Sequence, residues 1–133
     1  MQKPVNVIVW FDVPTLDFER AKKFYSIILG SEVLVNEKMG TNLAFFPMEG
    51  QMGVGGDVVA PEKYFSPAKG GNGVRVYFSV EGRIDEALSL VEKNGGKIVK
   101  PKYFMEMVGW LAFIIDSEGN EIGLYSSDKK IIA

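Results

Sequence analysis

The sequence predicts an α+β fold: two βαβββ modules forming one curved mixed sheet, a cup, with the helices packed outside. Three observations predict it. The pattern strand, helix, strands occurs twice along the 133 residues. Helix, glycine and strand recur as Leu29-Gly30-Ser31-Glu32-Val33 and as Asn94-Gly95-Gly96-Lys97-Ile98. Each half alone would bare an apolar sheet face, which pairing of the two halves edge to edge would cover. The chain reads as a single domain, 1–133, with modules at about 4–60 and 73–127 joined by a proline- and glycine-bearing connector at 61–72.

The first strand is expected at 5–13, where Val5, Val7, Val9, Phe11 and Val13 alternate with Asn6, Ile8, Trp10 and Asp12. A helix follows at 17–29, with Phe18, Ala21, Phe24, Tyr25 and Ile28 on one stripe. Asp17 is placed to cap its start and Gly30 to take the left-handed position after its last turn. Strands are expected at 32–38, 42–48 and 54–59, separated by glycine-containing turns. The second half repeats the order. It has a strand at 74–80, a helix marked by Ile84, Ala87, Leu88 and Val91, and strands at 97–100, 109–116 and 121–126. Ser117-Glu118-Gly119-Asn120 makes the turn between the last two.

Composition bounds the function. With 47% hydrophobic residues, 24% charged residues and a net charge of −2, the chain has a globular balance and no cationic surplus for a phosphate backbone. Lys100 with Lys102, and Lys129 with Lys130, are patches too small to suggest nucleic-acid binding. No window suits a membrane span, and the absence of cysteine fits a reducing, cytoplasmic setting without thiolate chemistry. There is also no histidine, which removes the commonest neutral-pH base and the commonest nitrogen ligand for a metal.

Alternation assigns Val7, Val9, Phe11, Val13, Val74, Val76, Phe78, Val80, Ile122 and Leu124 to the helix-covered face. The other face receives Ile8, Trp10, Asp12, Arg75, Tyr77, Ser79, Glu121, Gly123 and Tyr125. A mixed aromatic and charged face inside a curved sheet suits a small-molecule pocket. The alternative is packing alone, with Arg75 ion-paired to Asp12 or Glu121.

Trp10-Phe11-Asp12-Val13-Pro14, Asp17 through Tyr25 and Phe46-Pro47-Met48-Glu49-Gly50 carry a resemblance, continued by Ile84-Asp85-Glu86-Ala87, Asn94-Gly95-Gly96 and Asp116 through Leu124. In their order and spacing the chain resembles the vicinal oxygen chelate superfamily, the glyoxalase, bleomycin-resistance and dioxygenase fold. The resemblance implies a cup lined, in metal-using members, by histidines on the first and fifth strands and a glutamate on the last. Those positions fall here near Ile8 or Trp10, on Arg75 and on Gly123, so this is a member lacking the usual histidine ligands. No metal and no cofactor are expected; an oxygen-only site from Asp12, Glu49, Glu106 and Glu121 is the alternative. The resemblance also implies homodimers.

Three readings stand side by side. One is a metal-independent binding protein, with Arg75 pairing an anionic or carbonyl-bearing ligand and Trp10, Tyr77, Trp110 and Tyr125 packing it. Another is a lyase or isomerase of lactoylglutathione-lyase-like type, with Glu49, Glu121 or Asp12 as general base. The third is a structural or interaction module, for which the segment 104–109 is a lid or interface candidate. The expected partners are a small molecule and a second copy, with no nucleic acid and no membrane.

Overall fold

The computed structural model describes residues 6–50, 53–68 and 73–127; Val5, Lys129 and Lys130 lie outside the described residues, as do residues 69–72 at the end of the connector. The first half runs through β1 (Trp10–Pro14), α1 (Phe18–Leu29), β2 (Leu34–Val35), β3 (Leu43–Phe45) and β4 (Gly55–Val59). The second runs through β5 (Tyr77–Ser79), α2 (Ile84–Val91), β6 (Lys97–Met105), β7 (Gly109–Ile115) and β8 (Glu121–Ser126). Each half forms a four-stranded ladder, ordered β1-β4-β3-β2 and β5-β8-β7-β6. β1 pairs with β4, and β5 with β8, in parallel; the other neighbours are antiparallel. The two βαβββ modules of an α+β fold are therefore present, and the ladders end at the β1 and β5 edges.

Local chemistry sets the helices. The Asp17 carboxylate accepts the Arg20 N–H at 3.0 Å, and Gly30, at φ 70°, closes the last turn by donating its N–H to the Ser26 carbonyl. The stripe Ala21, Phe24, Tyr25 and Ile28 is buried. On α2 the buried stripe is Ile84, Ala87 and Val91. Both stripes join Val13, Ala44, Val58, Phe78, Val80, Ala112, Ile114, Ile122 and Leu124 in one core shared by the two halves. At its centre the Phe46 and Phe78 rings lie 5.0 Å apart, and Tyr25 sits 5.1 Å and 5.2 Å from them. Aromatic contact across the halves thus ties the two sheets together through their helix-covered faces.

The structure departs from expectation where ladders are shorter or longer than the pattern. Val7, Val9 and Val74, expected in the core, are 89%, 80% and 91% exposed. β4 begins at Gly55, opposite Trp10, and β8 begins at Glu121, in register with Arg75, so Val7 and Val9 before β1 and Val74 before β5 run past the last ladder partner. The strand expected at 32–38 shrinks to two residues followed by a 3-10 turn, Glu37–Met39. β6 runs to Met105, with register shifts on either side of Lys100 and before Tyr103. Pro101, which has no N–H to donate, lies in the shifted stretch.

Candidate functional site

β1 and β5 are the edge strands of their sheets, and cavities open along the seam between them. One, of about 430 Å³, is lined by Ile8, Trp10, Val54, Val74, Arg75 and Tyr77, among others. Another, of about 330 Å³, is lined by Phe11, Asp12, Phe65, Val76, Asn120 and Glu121, among others. Phe11, Val74 and Val76 line both. The seam therefore brings together Trp10, Asp12, Arg75, Tyr77 and Glu121, five of the residues the sequence nominated.

Each half places an aromatic ring across a glycine on the adjacent strand. Trp10 pairs with Gly55, and a Cβ there would stand 2.8 Å from the indole ring. Tyr77 pairs with Gly123, where a Cβ would stand 2.4 Å from the phenol ring. Only a residue without a side chain lets the ring lie flat on the neighbouring strand. A phenylalanine meets each ring edge-on: Phe45 at 5.8 Å from Trp10, and Phe113 at 6.1 Å from Tyr77. The glycine that stands at the resemblance's last-strand ligand position is thus the seat of Tyr77.

Arg75 is not an isolated cation. Its guanidinium donates to the Glu121 carboxylate from Nη2 at 2.5 Å and from Nε at 3.2 Å, and stacks 3.9 Å from the Phe113 ring centroid. Its hydrogen bond to Glu121 raises its pKa still further above the ordinary value. Of the two readings open in the sequence, the ion pair with Glu121 is the one formed. An anionic ligand at Arg75 would have to displace a carboxylate already in place.

The remaining nominated residues separate. Tyr125 lies with Tyr77, Ser79, Met105, Val108 and Leu111 around a cavity of about 410 Å³ on the second sheet. Trp110 falls instead on the helix-covered face: it packs against the core, its ring is 5.2 Å from Phe104, and Lys102 Nζ lies 4.6 Å from it. Alternation puts it opposite Leu111, so it does not join Trp10 and Tyr77. Glu49 sits in the exposed stretch after β3 and lines none of these cavities; Glu106 is exposed at the β6–β7 tip. The three carboxylates nominated as bases therefore do not converge, although Asp12 and Glu121 share one cavity.

Sequence reading missed Asp57. It pairs in register with Asp12 across the parallel β1–β4 ladder and is 1% exposed. Its Oδ1 has no hydrogen-bond partner. Burial, and then the adjacent Asp12 carboxylate, push its pKa up to about 7, while the Trp10 side chain pulls the other way. The signal was in the sequence: a carboxylate between glycines and valines in Gly55-Gly56-Asp57-Val58-Val59.

The donor set does not suit the family's metal. Arginine, glycine and an indole occupy or flank its ligand positions, and a guanidinium opposes a cation beside it. Among the described residues no three His, Cys, Asp or Glu side chains stand together as a cation cage. No described helix is long and apolar enough to cross a membrane.

Comparison with known proteins agrees with the fold. The family model described as Glyoxalase/Bleomycin resistance protein/Dioxygenase superfamily matches residues 7–124. Proteins named "Putative glyoxylase CFP32" from Mycobacterium bovis and Mycobacterium tuberculosis are 26% identical over 122 residues, 92% of this chain. The chain spans about half the length of these curated relatives, 46%. A glyoxalase/bleomycin resistance protein from Albidiferax ferrireducens superposes with a TM-score of 0.70 at 23% identity, covering 91% of this chain and 98% of that one. TnmS3, an antibiotic binding protein from Streptomyces, gives 0.65 at 22% identity, covering 95% and 99%. At such identities the structural likeness carries the fold alone. By the family match over nearly its whole length, the chain belongs to the glyoxalase/bleomycin resistance protein/dioxygenase superfamily.

Proposed function

We propose that this chain is a glyoxalase/bleomycin-resistance-like protein that binds a small organic ligand, without a metal, in the seam between its two sheets. The observation that carries the reading is the cavity of about 430 Å³ between Trp10 and Tyr77, walled by Ile8, Val54 and Val74. Its size is that of a small-molecule site, and an apolar wall with a few polar groups at one end is what such sites use. The antibiotic-binding relative of the same fold supports a binding role.

A second copy of the chain belongs to this reading. Val7, Ile8 and Val9 stand exposed beside the seam, an apolar strip that a homodimer would cover. The second reading, proton abstraction by a carboxylate, is favoured by one observation: Asp57, with its pKa near 7, backs Asp12 at the cavity wall.

The reading is tested with 2-phenylethanol, a neutral aromatic probe, followed by amide and indole NMR shifts. Shifts concentrated at Trp10 and 74–77 are expected. Val74→Trp, at an exposed position that lines both seam cavities, is expected to abolish them without unfolding the chain. Shifts confined to other surfaces, or unchanged by Val74→Trp, would remove the seam as the site. Native mass spectrometry of the same sample is expected to show a dimer without a stoichiometric divalent metal.

A further inference from the structure

Asp12 and Asp57 stand apart from the other carboxylates of the seam. Glu121, on the same cavity as Asp12, is already neutralised by Arg75. Among the described residues no ion pair reaches either Asp12 or Asp57. The two occupy register positions on adjacent parallel strands, so their side chains leave the sheet on the same face, which is also the face of Trp10. Asp12 is exposed and Trp10 is 44% exposed, whereas Asp57 lies buried with one oxygen unpartnered. Two carboxylates so placed need a positive charge to balance them. A proton on Asp57, hydrogen-bonded to Asp12, supplies it when nothing else does; an ammonium group is the alternative, with several N–H donors for the carboxylate oxygens.

We propose that Asp12, backed by Asp57 and flanked by the Trp10 ring, is a binding site for a small organic cation, specifically a protonated amine. The inference rests on the seam reading and names the ligand class for its β1 end. Asp12 is the reachable oxygen. Asp57 is the second negative charge behind it, in a medium where charge is felt more strongly than in water. The indole is the best of the aromatic rings at attracting a cation to its face. The neighbouring cavity supplies apolar room for the rest of the ligand.

Proton linkage follows. The groups that face Asp57 are Asp12 and Trp10 from β1 and, in register from β3, Phe45, which brings no charge. With its pKa pushed up to about 7, Asp57 holds a proton below that pH and loses it above. An entering ammonium favours the ionised form of Asp57, so binding releases a proton and strengthens as pH rises.

The test compares 2-phenylethylammonium with 2-phenylethanol on the whole chain, reading the Trp10 indole N–H and the Asp57 amide by NMR. At about pH 8 the cation is expected to bind at least about tenfold more tightly than the alcohol. Asp12→Asn, a change at an exposed position, is expected to bring the cation down to the alcohol's affinity. Lowering the pH to about 6 is expected to weaken the cation several-fold and leave the alcohol unchanged, and Asp57→Asn to remove that pH dependence. Equal affinities for the two probes at about pH 8, with shifts in the seam, would overturn the amine site and leave the seam reading standing. A cation affinity indifferent to Asp12→Asn would also overturn it. If neither probe moves the seam resonances, both readings fall.

Discussion

The two halves run through the same order of elements but close their last hairpins differently. In the first half the chain leaves β3 through Pro47, Met48, Glu49 and Gly50, all exposed. In the second, the β7–β8 turn is a buried polar knot. Asp116, 1% exposed, accepts from the Tyr25 hydroxyl at 2.5 Å, from the Glu118 and Asn120 backbone N–H groups, and from the Asn120 side chain. Glu118 accepts from the N–H groups of Leu16 and Asp17, from Ser117 and twice from Arg20. Asn120 donates to the Pro14 carbonyl at 3.0 Å. The second half thus caps the start of the first half's helix with a carboxylate, where the helix dipole favours one.

The far end of α1 is held from the second half as well, since Arg83 Nη1 donates to the Ile28 carbonyl at 2.7 Å. α2 receives no such help: Arg83 at its N-cap makes no side-chain capping bond. Scaffold and chemistry are therefore divided unequally. The second half supplies the clamps, and the first supplies the unbalanced carboxylate pair.

Removing the largest clamp breaks the comparison most directly. Asp116→Ala strands the Tyr25 hydroxyl in the core and leaves the turn's N–H groups without their acceptor. A loss of about 3–5 kcal/mol is expected in urea unfolding. A loss within about 0.5 kcal/mol, as at an ordinary surface site, would mean that the knot does not hold the halves together.

Two carboxylates, Asp57 of the first half and Glu118 of the second, should also answer pH in opposite senses. Asp57 has a folded pKa raised from the ordinary aspartate value to about 7, so the stability it contributes is fully present below about pH 4 and is lost as pH rises toward about 7. Glu118 has a folded pKa held down by Arg20, Ser117 and backbone N–H groups against the opposing effect of burial. Its contribution is present above the ordinary glutamate value and is lost as pH falls through the depressed one. Asp57→Asn, which keeps the shape and removes the charge, is expected to be more stable than the parent by roughly 2 kcal/mol at about pH 8, a gain that fades toward about pH 4. Parallel stability curves for the two proteins over that range would refute the burial penalty at Asp57.

Much of this division was legible in the residues, and the limits are instructive. The two modules and both helices follow from period-two alternation and from stripes such as Phe24, Tyr25 and Ile28, because those patterns report which side is covered. Alternation does not report where a ladder stops. Val7, Val9 and Val74 carry the right parity yet lie beyond their partners. Trp110 was misplaced for a different reason: Leu111, Ala112, Phe113, Ile114 and Ile115 are apolar on both faces, so the strand offers no polar residue to fix its parity. Asp57 escapes a reading of local pattern because what sets it apart, its pairing with Asp12 across the ladder, is a long-range fact. The Glu118 clamp spans 98 or more residues to α1, a distance at which only the fold itself reports proximity.

The smallest expected effect sharpens the comparison at its other clamp. Arg83 has two attachments, one across the halves and one local: its Nη1 reaches the end of α1, and its Nε lies 3.4 Å from Glu86 on its own helix. The Glu86 contact is exposed at the acid and adds little. The Ile28 contact is a charge-assisted bond to a carbonyl that the helix cannot satisfy, at the end where the dipole favours a cation. Arg83→Ala is therefore expected to cost about 1 kcal/mol. Glu86→Ala should cost no more than about 0.3 kcal/mol, which separates the cross-half bond from the local pair. Hydrogen exchange sharpens the distinction: Arg83→Ala should loosen the last turn of α1, from Ser26 to Gly30, while leaving the Asp116 knot protected. If the loosening instead spreads over both ends of α1, the two clamps act as one cooperative unit, and the second half holds the helix as a whole rather than end by end.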